Sequence, residues 1–355
     1  MDLLNKKGKI FLVGIGGIGM SGLAEILNSL GYKITGSDIK NGSNIARLRG
    51  LGIKINIGHN QKNIIGSSLI VYSSAIKDSN IEIKKAKSLN IPIISRSEML
   101  AELMRMKKTI TVAGSHGKTS TISIISEIFL SSNLDPTIIN GGIINAFGSN
   151  TKLGSSEWMI VETDESDGSF IKLPSFCGIV TSVDDEHIDY YKSFRNLENA
   201  FAEYINNTSI FGFSAICMDD SKAYKLAKKQ KRSDIVYYGT KVKANYRAKN
   251  IRIKNDGQLF DVEVAKLNQK KIICKDIFFP MHGTHNLNNA MGAITVSHKL
   301  GINFTKIKLA LKNFQGVKRR LTLISNYKGA YFYDDYAHHP SEIVATLKAL
   351  KQTNK

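Results

Sequence analysis

The chain has 355 residues, 42% hydrophobic and 22% charged, with a net charge of +19. That length predicts two or three domains with cores of their own, and the composition excludes a disordered or fibrous chain. A basic surface attracts polyanions, but the lysines are scattered. The densest run, Lys228-Lys229-Gln230-Lys231-Arg232, has no interleaved aromatic residue, so solvated lysines explain the charge better than nucleic-acid binding.

Cys177, Cys217 and Cys274 lie 40 and 57 residues apart, which excludes a CxxC metal or redox motif and fits reduced thiols of a cytoplasmic protein. The most apolar early stretch, residues 10–20, is too short to span a membrane and contains four glycines. It has no small-residue cleavage site and runs straight into a helical pattern, so export and membrane insertion are not expected.

Taken in order, residues 9–13 form an apolar run, followed by glycines and a helical pattern of Met20, Leu23, Ala24, Leu27 and Leu30. Strand patterns recur at 33–36, 54–57, 69–73 and 91–94. This predicts a doubly wound, Rossmann-like parallel α/β domain over 1–106, closed by a helix and charged connector at 96–108. A strand at 109–113 then leads through a glycine loop into an apolar helix at 122–130, and strands with acidic ends follow at 158–161 and 177–183. Between 235 and 277 the pattern changes to short alternating strands with turn signals such as Asn255-Asp256-Gly257, a β-rich element inserted in or packed on the second domain. Helical patterns at 286–300 and 305–314 complete a central phosphate-loop α/β domain over 107–322. A strand at 331–333 and a helix after it begin a third α/β domain in 323–355.

Gly14-x-Gly16-x-x-Gly19 stands between a strand and a helix, where glycines let backbone N–H groups approach a diphosphate. Asp38 follows Gly19 by 19 residues, at the end of the next strand, where an acid binds a ribose hydroxyl. The loop specifies a nucleotide diphosphate but not which one, and close helix–strand packing is the alternative use of its glycines.

Gly114-Ser115-His116-Gly117-Lys118-Thr119-Ser120 is a second loop, of the short GxxGKT form because position 112 is Val. Its amides are suited to wrapping phosphates, Lys118 to neutralising their charge and the Thr119 hydroxyl to ligating Mg²⁺. Packing alone does not explain Lys-Thr after glycine at such a turn. The strand at 158–161 ends in Glu162, then Asp164, Glu165 and Asp167, and a carboxylate at a strand end beside a phosphate loop suits Mg²⁺. Asp184-Asp185-Glu186-His187 ends the next strand and offers a further metal ligand; solvated acids and an exposed histidine are the alternatives. Asn286 and Asn289 precede or open a helix and either cap it or bond a base. Arg319-Arg320 and Asp334–Pro340 form polar clusters, and the pair His338-His339 is a weak metal signal without cysteine nearby.

Together these motifs resemble the Mur ligases of peptidoglycan synthesis, and among them the alanine-adding branch. The matching stretches are Gly14–Glu25, Gly36-Ser-Asp38, Ser73–Ile76, Gly114–Thr119, Asn140-Gly-Gly142, Glu162–Asp167, His285–Ala290, Phe314-Gln-Gly316, Arg319-Arg320 and Asp334–Pro340, in the family's order along nearly the whole chain. The resemblance implies an ATP- and Mg²⁺-dependent ligase that phosphorylates the carboxylate of UDP-N-acetylmuramate and joins it to L-alanine. It implies that Gly16, Gly17, Ile18, Gly19, Asp38, Ser73 and Ser74 hold the UDP part, and that Gly114–Ser120 hold ATP, with Lys118 on the transferring phosphate. It further assigns Mg²⁺ to Thr119, Glu162 and His187, the adenine side to Asn286 and Asn289, closure on ATP to Arg320 and Asp335, and a place near the reacting groups to His338. No carbamylated lysine is assigned, since Lys192 is the only lysine between Ile188 and Cys217. The family has a third domain after this point, so a chain of 355 residues is expected to bind the UDP substrate and to ligate poorly. Three rivals remain at this stage. A Rossmann oxidoreductase leaves Gly117-Lys118-Thr119 unexplained, a non-catalytic nucleotide- or nucleic-acid-binding protein rests on charge alone, and the peptide-adding recycling ligase has a different first loop.

Overall fold

A computed structural model describes residues 8–145, 149–232, 234–265 and 271–353. Contacts divide the chain into two units, Met1–Met106 with Asn150–Leu153, and Lys107–Ser149 with Gly154–Lys355.

The first unit is built on β1 (Lys9–Val13), β2 (Lys33–Asp38), β3 (Lys54–Ile57), β4 (Leu69–Tyr72) and β5 (Ile93–Ser95), in the order β3-β2-β1-β4-β5. Every pairing is parallel. Phe11, Leu12 and Val13 are fully buried, as a parallel strand covered on both faces requires. The helix Ile18–Ser29 buries Met20, Leu23, Ala24 and Leu27, the stripe read from sequence, while Leu30 ends up as its C-cap. Strand order reverses between β1 and β4, so the first glycine loop leaves the sheet at the switch point where such folds bind ligands.

The second unit contains β6 (Lys108–Ala113), β7 (Thr137–Ile144), β9 (Trp158–Glu162), β10 (Ser175–Val180), β11 (Thr208–Cys217), β12 (Ile235–Gly239), β13 (Tyr246–Lys254), β14 (Gly257–Val264) and β15 (Ile272–Phe279), while β8 (Ser149–Lys152) belongs to the first from Asn150 on. Their sheet runs β15-β14-β13-β12-β11-β10-β6-β9-β7. From β7 to β13 the pairs are parallel, and β13-β14-β15 are antiparallel. The β-rich stretch is therefore not a separate element. It widens the same sheet, because Tyr246, Phe260, Val262, Ile277 and Phe279 share one core with Ile110, Ile122, Ile125 and the helix residues Ala293 and Ile294. Strands β7 and β11 escaped the sequence pattern. Gly141-Gly142 and Gly212 interrupt their alternation, as glycine does within strands. Cys177 and Cys217 are buried, and burial pushes both thiols up to about 12; the half-buried Cys274 is raised as well.

The stretch 323–355 groups with the second unit. Two strands form there where the sequence suggested one. They are β16 (Thr322–Tyr327) and β17 (Ala330–Asp334), an antiparallel hairpin turned at Lys328-Gly329 with φ of 48° and 83°. Positive φ at both turn residues is the tight-hairpin geometry, and glycine takes the second place without strain. The helix Pro340–Thr353 starts on proline, whose missing N–H costs nothing at that position. It docks through buried Ala349, beside Gly283, whose N–H donates to Gln352 Oε1 at 3.2 Å.

Candidate active site

In the first unit, Gly14 takes φ +78° and, with Ile15, donates its N–H to Ser37 O at 2.8 and 3.0 Å. The Gly16 N–H donates to Asp38 Oδ2 at 2.8 Å, and a Cβ at Gly16 would meet that oxygen at 2.9 Å. The other Asp38 oxygen accepts from Lys40 N at 3.1 Å. The acid expected at a ribose thus also braces the loop from β2. The following helix has Gly17 as its N-cap, no capping side chain and no acid in its first turn, which leaves the N–H groups around Ile18 and Gly19 facing outward for an anion. Ser73 sits at the end of β4 against Gly14, and Ser74 beside it is exposed.

One network here was invisible in the sequence. Glu82 is fully buried and accepts from Ser37 Oγ (2.6 Å), Asn63 Nδ2 (2.7 Å) and Asn60 N (3.2 Å), with His59 Nδ1 at 2.8 Å. A carboxylate can be buried when that many donors face it.

In the second unit, β6 runs into the phosphate loop and out into the helix Lys118–Ser131. Gly114 has φ +140° and Gly117 φ +83°. A Cβ on Gly117 would strike Asn289 Oδ1. Gly117→Ala therefore combines backbone strain of about 1–3 kcal/mol with a clash inside the loop. The expected outcome is loss of ATP binding with a lowered melting temperature, read by calorimetry and thermal denaturation.

Lys118 Nζ donates to Gly114 O (2.6 Å) and pairs with Glu165 Oε1 at 2.6 Å. Burial pulls the lysine down, but Glu165 and Glu162 outweigh it and hold Lys118 above the usual range. Glu165 is almost completely buried, and burial raises its carboxyl against the pull of Lys118. Its Oε2 is buried with no hydrogen-bond partner, and His187 Nε2 lies 3.9 Å from Oε1. Ligand atoms of Glu165, Glu186 and His187 all fall within 4.8 Å of one another.

The resemblance gave the metal to Thr119, Glu162 and His187 together. In the structure the Glu162 carboxylate accepts from Thr119 Oγ1 at 3.0 Å and Gly141 N at 2.7 Å. Thr119 and Glu162 are thus brought together, while His187 faces Glu165, which the sequence reading passed over. The two acids are three residues apart in one acidic run. Only the backbone turn after β9 decides which points to the lysine.

Beyond the loop opens a cavity of ≈380 Å³ lined by His116, Gly117, Ser120, Asn286, Asn289, Arg320 and Asp335, all placed at ATP by the resemblance, together with His285 and Asn288. This volume lies in the range of small-molecule sites. Asn286 donates its amide to His282 O at 2.8 Å, while Asn288 Oδ1 is buried and unsatisfied. Asn288 is a base-reading candidate that sequence alone did not separate from its neighbours. Asp335 accepts from Leu321 N and Ala337 N at 2.7 and 2.8 Å and so holds the chain beside Arg320.

His116 faces Asp184, Glu186 and Glu342 at 3.4, 3.6 and 3.3 Å. Burial opposes its protonation, but Glu342, Glu186 and Asp184 outweigh it and raise His116. Burial likewise opposes ionisation of Glu342, but His116 and the His338 N–H hold its carboxyl down at about 2. His338 itself is 74% exposed and not among the cavity-lining residues. It is His339 whose ring approaches His116, at 5.2 Å between centroids.

Residues 9–108 match the catalytic domain of the Mur ligase family and residues 112–297 its middle domain. The chain belongs to the Mur ligase family. It is 46% identical over 345 residues to a relative from Maricaulis maris named UDP-N-acetylmuramate–L-alanine ligase, covering 97% of this chain and 74% of that one. A relative of the same name from Parvibaculum lavamentivorans is 45% identical, with 98% and 71% covered. Among solved structures, the UDP-N-acetylmuramate–alanine ligase of Thermotoga maritima superposes with a TM-score of 0.81 at 29% identity, covering 98% of this chain and 78% of that one. A murein peptide ligase from Psychrobacter arcticus has the same TM-score at 23% identity, covering 97% and 76%, and shows the shared fold. For this Mur ligase the mixed α/β architecture read from sequence holds. Arg232, from the densest basic run, is bound to Asp234 and to the carbonyls of Asn206 and Thr208. None of the helices among the described residues is long and apolar enough to cross a membrane.

Proposed function

We propose that this Mur ligase joins L-alanine to the carboxylate of UDP-N-acetylmuramate at the expense of ATP, in peptidoglycan synthesis. The observation that carries the reading is near-full-length similarity to alanine ligases at 42–46% identity. The second unit supplies the matching chemistry, a buried Lys118–Glu165 pair in the same loop whose Gly117 and Ser120 line a nucleotide-sized cavity.

Phosphoryl transfer between two polyanions needs alignment and charge neutralisation more than covalent help. A carboxylate oxygen of the substrate attacks the γ-phosphorus and ADP leaves. The alanine amine then attacks the acyl carbon and inorganic phosphate leaves, the amine giving up a proton. No enzyme nucleophile takes part. Lys118 swings from the Gly114 carbonyl to the transferring phosphate, and the loop amides and Arg320 hold the nucleotide while Asp335 keeps Arg320's segment in place. Asn288 and Asn289 face the base.

The unsatisfied Glu165 oxygen and its neighbours Glu186 and His187 fit a divalent cation, with Thr119 as the loop ligand and Glu162 orienting it. Mg²⁺ there would neutralise phosphate charge. Gly16–Gly19, Asp38, Ser73 and Ser74 take the UDP part. The cytoplasm is the place for the reaction, consistent with the free thiols.

Titration with UDP-N-acetylmuramate and with NADH separates a ligase from an oxidoreductase; binding of the first alone is expected. Mass spectrometry of mixtures with ATP and either L-alanine or a tripeptide tests the acceptor. NADH binding, or a product formed only with the tripeptide, overturns the reading.

A further inference from the structure

The first unit carries an arginine that nothing in the sequence marked. We propose that Arg96 holds the diphosphate of the nucleotide-sugar substrate and fixes which way that substrate lies along the sheet edge. The inference deepens the reading of the first unit given above and rests on it.

The topology places Arg96. β5 ends at Ser95, and Arg96 opens the helix Arg96–Arg105. In the order β3-β2-β1-β4-β5, β2 and β5 lie on opposite sides of β1. Asp38 therefore reaches the glycine loop from one side, through Gly16, and Arg96 reaches it from the other, through Gly19. A Cβ on Gly19 would meet Arg96 Nη1 at 3.0 Å, Cδ at 3.2 Å and Cζ at 3.3 Å. The third glycine of the motif thus does more than allow helix–strand packing. It leaves room for the guanidinium to lie on the loop.

Chemistry supplies the second argument. Arg96 is half-buried, yet among the described residues no carboxylate, hydroxyl or carbonyl accepts a hydrogen bond from it. By contrast Arg47, on a neighbouring helix, pairs with Glu25. A guanidinium has five N–H groups in a fork that matches phosphate, and those of Arg96 are open to such a partner. Here it lies beside the uncapped start of the helix Ile18–Ser29, whose first amides are suited to an anion. Two independent donor sets converge on the same place. With the ribose on the Asp38 side, Arg96 meets the phosphate nearer the sugar, and the sugar runs toward β4 and β5, past Ser73.

Two anions of the substrate could satisfy Arg96, its diphosphate and its lactyl carboxylate, and the test separates them. Wild type, Arg96→Ala and Arg96→Lys are titrated calorimetrically with UMP, UDP and UDP-N-acetylmuramate. The alanine variant is expected to bind UDP and UDP-N-acetylmuramate roughly 10- to 100-fold more weakly and UMP less than about threefold more weakly, with part of the loss recovered by lysine. ATP affinity and melting temperature should not change. Equal losses for UMP and UDP would mean that Arg96 shapes the loop, a loss confined to UDP-N-acetylmuramate would mean the carboxylate, and no loss would mean no role; each overturns the proposal. If the wild-type protein binds no uridine diphosphate at all, the functional reading of the first unit itself fails.

Discussion

Lys118→Met is expected to weaken ATP binding by about 100-fold and to leave UDP-N-acetylmuramate binding within about twofold. The lysine supplies a charge-assisted hydrogen bond to a phosphate in a half-closed loop, and such bonds are worth about 1.5–3 kcal/mol. Methionine keeps the apolar stem and removes only the charge. The substitution has a second consequence, because Lys118 is the cation paired with buried Glu165. Breaking one side of a buried pair typically costs about 3–5 kcal/mol, since the other charge is left behind. The single variant should therefore melt lower than wild type, and Lys118→Met combined with Glu165→Gln should recover part of that loss without regaining ATP. Calorimetric titration and thermal denaturation read both effects. An ATP affinity that survives the methionine would remove Lys118 from the mechanism.

The contrast between stability and binding explains what could be read in the sequence. The two glycine loops were legible because their backbone requirement is written in residue type. Gly14, Gly114 and Gly117 all take positive φ, which other residues avoid. The first Rossmann-like unit was legible because β1 is apolar from Ile10 to Val13 and the helix after it carries a clean stripe. The cavity residues His116, Asn289, Arg320 and Asp335 were legible through their motifs, though nothing in spacing alone brings residues more than 200 positions apart to one place. What sequence could not resolve was direction. Glu162 and Glu165 are both acids after the same strand, and Lys118 selects the second because the turn buries it. His338 and His339 are adjacent, and the helix that starts at Pro340 leaves the first outside and turns the second toward His116. Glu82 and Arg96 sit in unremarkable helical patterns, and only the folded sheet shows one surrounded by donors and the other without an acceptor.

The two acids, Glu162 and Glu165, make the sharpest test of the proposed metal site. Glu165→Gln should abolish the dependence of ATP affinity on Mg²⁺, whereas Glu162→Gln should keep that dependence and weaken the metal by roughly 10-fold, the usual range for a group that orients a ligand. Glu165 has a buried oxygen with no hydrogen-bond partner, so a cation offsets a desolvation cost already present. Glu162 has both oxygens occupied, by the Thr119 hydroxyl and the Gly141 N–H, so its contribution runs through Thr119. The linkage has a definite sign. Burial raises the Glu165 carboxyl, and a bound cation would favour its ionised form, so metal binding should release a proton when the free acid is partly protonated. Mn²⁺ titration followed by electron paramagnetic resonance measures the metal directly, without turnover. If Glu162→Gln eliminates Mn²⁺ binding and Glu165→Gln leaves it intact, the metal belongs to the first acid after all, and Glu165 serves only to hold Lys118 in the loop.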